Sequence, residues 1–253
     1  MKRFFMSALT LTSMLFIIGI SNAYATNAEE DFFKGNQAYR NGDYADAVRL
    51  YSKLAGKRYP SPHLLYNLGN AYFRLGDKGN TILNYERARM FLPRDADLIF
   101  NLGYVRDRLQ DATEPPGPPL QSVFFWLDSV NPNELFVMFA VVNLLFFAVL
   151  ILRIFVKEEW AFVMLIVLLV AWLGTGVSFG VKCYQAAYDN RAVVTGKEVS
   201  VLAGPDPKDT ELFRLHAGTV VRTDKREGGW TLIRLASDKR GWVNDSSIGM
   251  IKG

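Results

Sequence analysis

Hydrophobic and polar residues change rhythm several times along the 253-residue chain. Phe4 to Ile20 is an apolar run behind Lys2 and Arg3, and it ends at Ser21-Asn22-Ala23-Tyr24-Ala25, an A-x-A cleavage pattern. Residues 1–25 therefore read as an export signal that releases a chain starting at Thr26. An uncleaved anchor is the alternative, and both readings put the following residues outside the cytoplasm. From 28 to 111 the apolar positions follow helical spacing. Leu135–Leu152 and Trp160–Val181 are uncharged stretches of 18 and 22 residues. At 1.5 Å per residue they reach about 27 and 33 Å, against a hydrocarbon core of about 30 Å. After Ala192 the pattern shifts to short alternating β-rich runs.

The helical stretch repeats every 34 positions. Gly35-Asn36 aligns with Gly69-Asn70, Gly42-Asp43 with Gly76-Asp77, Tyr51 with Tyr85, and Asn67-Leu68-Gly69 with Asn101-Leu102-Gly103. Thr81 stands where the first repeat has Ala47. This period, with small and aromatic residues at these places, resembles the tetratricopeptide (TPR) repeat. The resemblance implies an all-α solenoid over 28–111: two helix pairs and a further helix, about 95–111, that caps the stack. It also implies a concave face able to hold an extended peptide or a partner helix. Asn36, Arg40, Asn70, Arg74, Asn101 and Arg108 are the long polar candidates for that groove. Solvated helix faces and structural asparagines are the alternative reading of the same residues.

Residues 112–134 form a spacer and an interfacial segment. Glu114-Pro115-Pro116-Gly117-Pro118-Pro119 reads as a polyproline II spacer, and Phe124-Phe125-Trp126 suits a membrane interface. Asn131-Pro132-Asn133-Glu134 reads as a helix start. The loop 153–159 carries Arg153 and Lys157, whereas 120–134 has no Lys or Arg, which puts the loop in the cytoplasm and both soluble ends in the periplasm. Asn143 in the first span, and Gly176 and Gly180 in the second, read as helix-packing devices. Cys183, at the outer end of the second span, reads as an inert thiol.

Five β-runs are expected after residue 190: 192–195, 199–202, 219–223, 230–235 and 241–243. Val199-Ser200-Val201-Leu202-Ala203-Gly204-Pro205, Gly229-Trp230-Thr231 and Gly241-Trp242-Val243 resemble the bacterial SH3 (SH3b) domain, which implies an all-β SH3-like barrel over 190–253. Leu202-Ala203 departs from the Arg-Ser pair common in that family. Trp230 and Trp242 either fill the barrel or line a shallow groove. In the second case Asp206, Asp209 and Glu211, placed in a long first loop, would select a peptide or a cell-wall stem peptide.

Charge and composition then remove whole classes. Lys plus Arg exceed Asp plus Glu by only 4, too little to argue for nucleic acid. One cysteine excludes an intramolecular disulfide and a multi-cysteine metal site, and His63 and His216 are the two histidines. With no nucleophile–base pair and no Gly-rich phosphate loop, no catalytic residue, cofactor or metal is expected. The order of modules describes a multidomain membrane protein, and it resembles the TPR protein of the bacterial Bat aerotolerance operon (BatE type). That resemblance implies a non-catalytic inner-membrane component working beside von Willebrand factor A-type Bat membrane proteins and a MoxR-type ATPase. A peptidoglycan-binding tether or envelope sensor is the alternative.

Overall fold

The structure, a computed structural model, describes residues 28–56, 60–111 and 124–252. The expected export signal and the Pro-rich run lie outside them. The chain divides into two compact units, one through Asp77 and the other from Lys78 onward.

The described part of the first unit is helical. Helix α1 covers 28–41, α2 Tyr44–Ala55 and α3 Pro62–Arg74. Gly42, at φ +88°, makes the left-handed turn between α1 and α2, a conformation an L side chain avoids. Ala47, Tyr51 and Leu54 of α2 pack with Leu64, Leu68 and Ala71 of α3, and Phe32, Ala38 and Tyr39 of α1 close over them. Each helix buries one stripe, which fits its apolar spacing.

The second unit opens with α4 (Lys78–Arg89) and α5 (Ala96–Arg106). Asp95 caps α5 by accepting a hydrogen bond from the Leu98 amide at 2.9 Å. A 3-10 turn, Phe125–Ser129, leads to α6 (Pro132–Phe155) and α7 (Glu159–Ala187). Both are long and apolar enough to cross a membrane. Asn131 and Glu134 form a reciprocal capping box at the start of α6, with Pro132 at its first turn. Val156–Glu158 joins the two helices, so the expected seven-residue loop is mostly helix. Phe139 stacks on Phe179 at 6.0 Å and Phe146 on Trp172 at 5.7 Å. A Cβ on Gly176 would meet the Phe139 ring, whereas one on Gly180 would meet no described residue within 4 Å, and Asn143 is half-buried.

Seven strands follow: β1 Arg191–Val194, β2 Glu198–Leu202, β3 Glu211–His216, β4 Val220–Glu227, β5 Trp230–Arg234, β6 Arg240–Asn244 and β7 Ile248–Met250. They make one antiparallel sheet in the order β3-β2-β6-β5-β4-β1-β7, with Ala192, Val194, Val201, Val221, Ile233 and Val243 in its core. Two features differ from the sequence expectation. β3 and β7 are strands beyond the five expected, and β3 does not pair with β7, so the sheet is open rather than a closed barrel. β3 escaped notice because its exposed Glu211, Leu212 and Arg214 break any apolar alternation.

Open edges invite pairing with other chains unless something covers them. Here residues from the helical part of the same unit do so. Arg87 of α4 donates from Nε and a terminal nitrogen to the Met250 carbonyl of β7, at 3.1 and 2.7 Å. At the other edge the Asp111 carboxylate accepts from the His216 amide of β3 at 2.6 Å, and it also contacts that imidazole and the Thr219 hydroxyl.

Helix α4 is buried nearly all round, which explains why its sequence shows no amphipathic stripe. A Cβ on Gly79 would meet the backbone of Thr195, one on Gly249 would run into Leu83, and one on Gly218 would press on Leu109 and Ile82. Between α4, α5 and β1 lies Glu86, 1% exposed, whose carboxylate meets Arg106 and Arg89 and lies 3.6 Å from Arg191. Asp189 holds Arg191 in place at 2.7 Å. Burial alone would raise the Asp189 pKa, but the hydrogen bonds and charge of Arg191 hold it below the usual carboxylate range.

Removing one partner of a buried charge is costly because the other is left short of compensation. Arg106→Ala is expected to destabilise the second unit by about 3 kcal/mol. Thermal melting in detergent, followed by tryptophan fluorescence, checks this.

Candidate functional site

Two surfaces carry the residues that the sequence singled out. In the first unit Asn36, Tyr39, Arg40, Tyr51, Asn67 and Asn70 line an open pocket of about 180 Å³. The Tyr51 hydroxyl donates to Asn36 Oδ1 at 2.7 Å, and Asn67 Nδ2 donates to the same oxygen at 3.3 Å. Burial, with a smaller contribution from Tyr39, pushes the Tyr51 pKa up to about 12, so the hydroxyl stays a donor at physiological pH. The pocket thus offers amides and one guanidinium around a buried phenol, a set suited to peptide backbone and carboxylate oxygens.

Of the six groove candidates, Asn36, Arg40 and Asn70 share this pocket. Arg74 instead lies over the Tyr44 ring at 4.7 Å. Asn101 and Arg108 belong to the second unit, where Arg108 covers Tyr104 at 3.5 Å. Tyr39, Tyr51 and Asn67 complete the pocket and are not among the candidates. Asn67 is visible in the repeat alignment, whereas nothing in the spacing marks Tyr39.

The second surface is the outer face of the sheet. Thr231, Ile233 and Val243 point into the core, so strand alternation sends Trp230, Leu232 and Trp242 to the opposite face. Leu232 lies opposite Trp242, and Trp230 opposite Asn244. Lys225 faces Leu232 from β4 and places its ammonium 6.0 Å from the Trp242 ring. Both indoles are half-buried on this face and neither belongs to the core.

Residues 195–249 match the bacterial SH3 domain family. The match covers the sheet from the turn after β1 into β7. Comparison with curated proteins finds no match for the chain. The coarse reading that follows is a binding module for protein or peptidoglycan, joined to two apolar helices.

The three acidic candidates sit near this face but are engaged locally. The loop that holds Asp206 and Asp209 leaves β2 at Leu202, the residue paired with Trp242. Asp209 accepts from the Asp206 amide at 3.0 Å, and Asp206 accepts from the Lys208 amide at 2.9 Å. Glu211 begins β3 rather than lying in the loop, and it accepts from the Ser200 hydroxyl at 2.6 Å and from Arg214 at 2.7 Å. These partners, Ser200 first, hold its carboxyl below the usual range. Lys225 and Leu232 are the additions to the outer face, and period-two alternation from Trp230 is the signal that marks Leu232. Among the described residues no three His, Cys, Asp or Glu side chains gather as a metal site.

The pocket chemistry separates packing from polarity. Tyr51→Phe is expected to cost about 1 kcal/mol through the lost hydrogen bond. Tyr51→Ala, by removing the whole buried ring, costs about 3–5 kcal/mol. Urea unfolding of the two variants beside the parent checks the difference.

Proposed function

We propose that this protein is a non-catalytic membrane scaffold whose two binding modules, a TPR segment and the bacterial SH3 domain, face the periplasm. The observation that carries the reading is the outer face of the sheet, where Trp242, Leu232 and Lys225 form an aromatic and cationic surface outside the core. It sits in a unit that also contains two helices of membrane-spanning length. Indole faces beside a lysine suit proline-rich or acidic peptides and stem-peptide carboxylates. Arg153 and Lys157 at the α6–α7 junction support a cytoplasmic turn and two periplasmic ends.

In this reading the pocket of Asn36, Arg40 and Asn70 holds a segment of one partner, and the SH3 face holds another. The 34-residue period and the module order support assembly with von Willebrand factor A-type membrane proteins of the Bat type, linked to aerotolerance or envelope stress. Binding of peptidoglycan by the SH3 face, as a tether or sensor, is the second reading. The SH3 family match favours it as much as it favours protein binding.

Affinity purification of the full-length protein from crosslinked membranes, with partners identified by mass spectrometry, separates them. The scaffold reading expects von Willebrand factor A-type proteins, lost on Arg40→Ala or Trp242→Ala while the protein still inserts. Recovery of wall fragments in their place overturns it in favour of the tether.

A further inference from the structure

The open side of α5 carries its own instruction about what covers it. In the first repeat the Tyr51 ring of α2 packs on α1: it lies 6.0 Å from the Phe32 ring, and a Cβ on Gly35 would sit 2.5 Å from its Cε1. Two periods later, 68 positions on, the same seat is Phe100 and Gly103 of α5, and the position of Tyr51 is Pro119. Pro115, Pro116, Pro118 and Pro119 stand where α2 has Ala47, Val48, Leu50 and Tyr51. Such a run of prolines is foreign to a helix interior.

Among the described residues nothing covers the seat: Phe100 is 71% exposed, Ile99 49% and Tyr104 41%, and no described residue lies within 4 Å of where a Gly103 side chain would begin. This face of α5 is apolar, with Ile99, Phe100 and Tyr104 exposed on it. What fits is a helix running antiparallel to α5 that brings an aromatic ring over Gly103.

A second copy of α5 meets each requirement. Phe100 and Gly103 lie three residues apart on one face, a ring and a hole that complement each other across a twofold axis. With the axis between them, Phe100 of each copy covers Gly103 of the other. Exposed Asp97 of one helix then falls on the same flank as exposed Arg108 of the other. Asp107 at one helix end faces the start of the other helix at Ala96, where the helix dipole favours negative charge. Two membrane-spanning helices would confine both copies to a plane and raise their effective concentration, which compensates for the small area of one helix face.

We propose that α5 is a self-association surface, pairing antiparallel with α5 of a second copy through Phe100, Gly103, Asp97 and Arg108. This inference rests on the repeat reading of residues 28–111. Differently tagged full-length copies carrying Phe100→Cys and Gly103→Cys, both in a Cys183→Ser background, are co-expressed and oxidised in native membranes. The mixed disulfide is expected several-fold above that between copies carrying Ser246→Cys on the SH3 domain. Asp97→Arg in both copies lowers it several-fold, and adding Arg108→Asp restores it.

A mixed product no stronger than the Ser246→Cys control overturns the proposal, as does one indifferent to the charge exchange. Protection of Phe100→Cys from a water-soluble maleimide without a mixed product also overturns it and makes the face a lipid contact. The affinity purification above, run on the same membranes, keeps the two readings apart. Partners recovered without the mixed product overturn self-association alone, and the mixed product without partners overturns the scaffold alone. Because Asp97 is exposed, Asp97→Arg is expected to leave the far-ultraviolet circular dichroism spectrum unchanged, so loss of crosslinking is not loss of fold.

Discussion

Glu86 is a carboxylate taken out of water in the middle of α4, and the second unit is arranged so that this is tolerable. Three arginines reach it: one from its own helix, one from α5 and one from β1. A buried ion group of this kind contributes little net stability against an apolar substitute, yet it is costly to break. Its consequence is geometric. The guanidiniums converge on one carboxylate only when α4, α5 and β1 are all in place, so the helical hairpin and the SH3 domain are specified together.

The edges of the sheet follow from the same packing. An open seven-stranded sheet exposes two rows of unpaired backbone groups, and β7 sits directly against α4, where Arg87 takes its outward carbonyl. Asp111 does the same for an amide of β3. Arg87 and Asp111, both from the same unit, thus engage backbone groups at the two edges, and the outer face around Trp242 lies away from both contacts. A closed barrel would need neither device. The helices therefore stand in for the strand pairing that closure would supply.

Much of this was legible in the residues. The apolar lengths of α6 and α7, the capping box at Asn131 and Glu134, and the Gly-Trp marks of the SH3 domain are local signals, and local physics determines the elements they announce. The pocket was half visible: Asn36, Arg40 and Asn70 follow from helical position, while Tyr39 enters through the turn of α1 over α2. What the sequence did not disclose is long-range. β3 reads as a polar stretch because it is an edge strand. The local bonds of Asp206, Asp209 and Glu211, to neighbouring amides, Ser200 and Arg214, exist only once the chain is folded. Nothing in the local sequence marks Glu86, since its burial depends on a sheet more than 100 positions away.

Hydrogen exchange on the full-length protein in detergent tests the joint folding of α4 and the SH3 domain most directly. The account predicts that amides of α4, β1 and β7 share one level of protection. It also predicts that Arg191→Ala raises exchange in all three while α1 to α3 keep theirs. If α4 opens independently of β1 and β7, or if Arg191→Ala affects β1 alone, the helices and the sheet are separate bodies and the account is wrong.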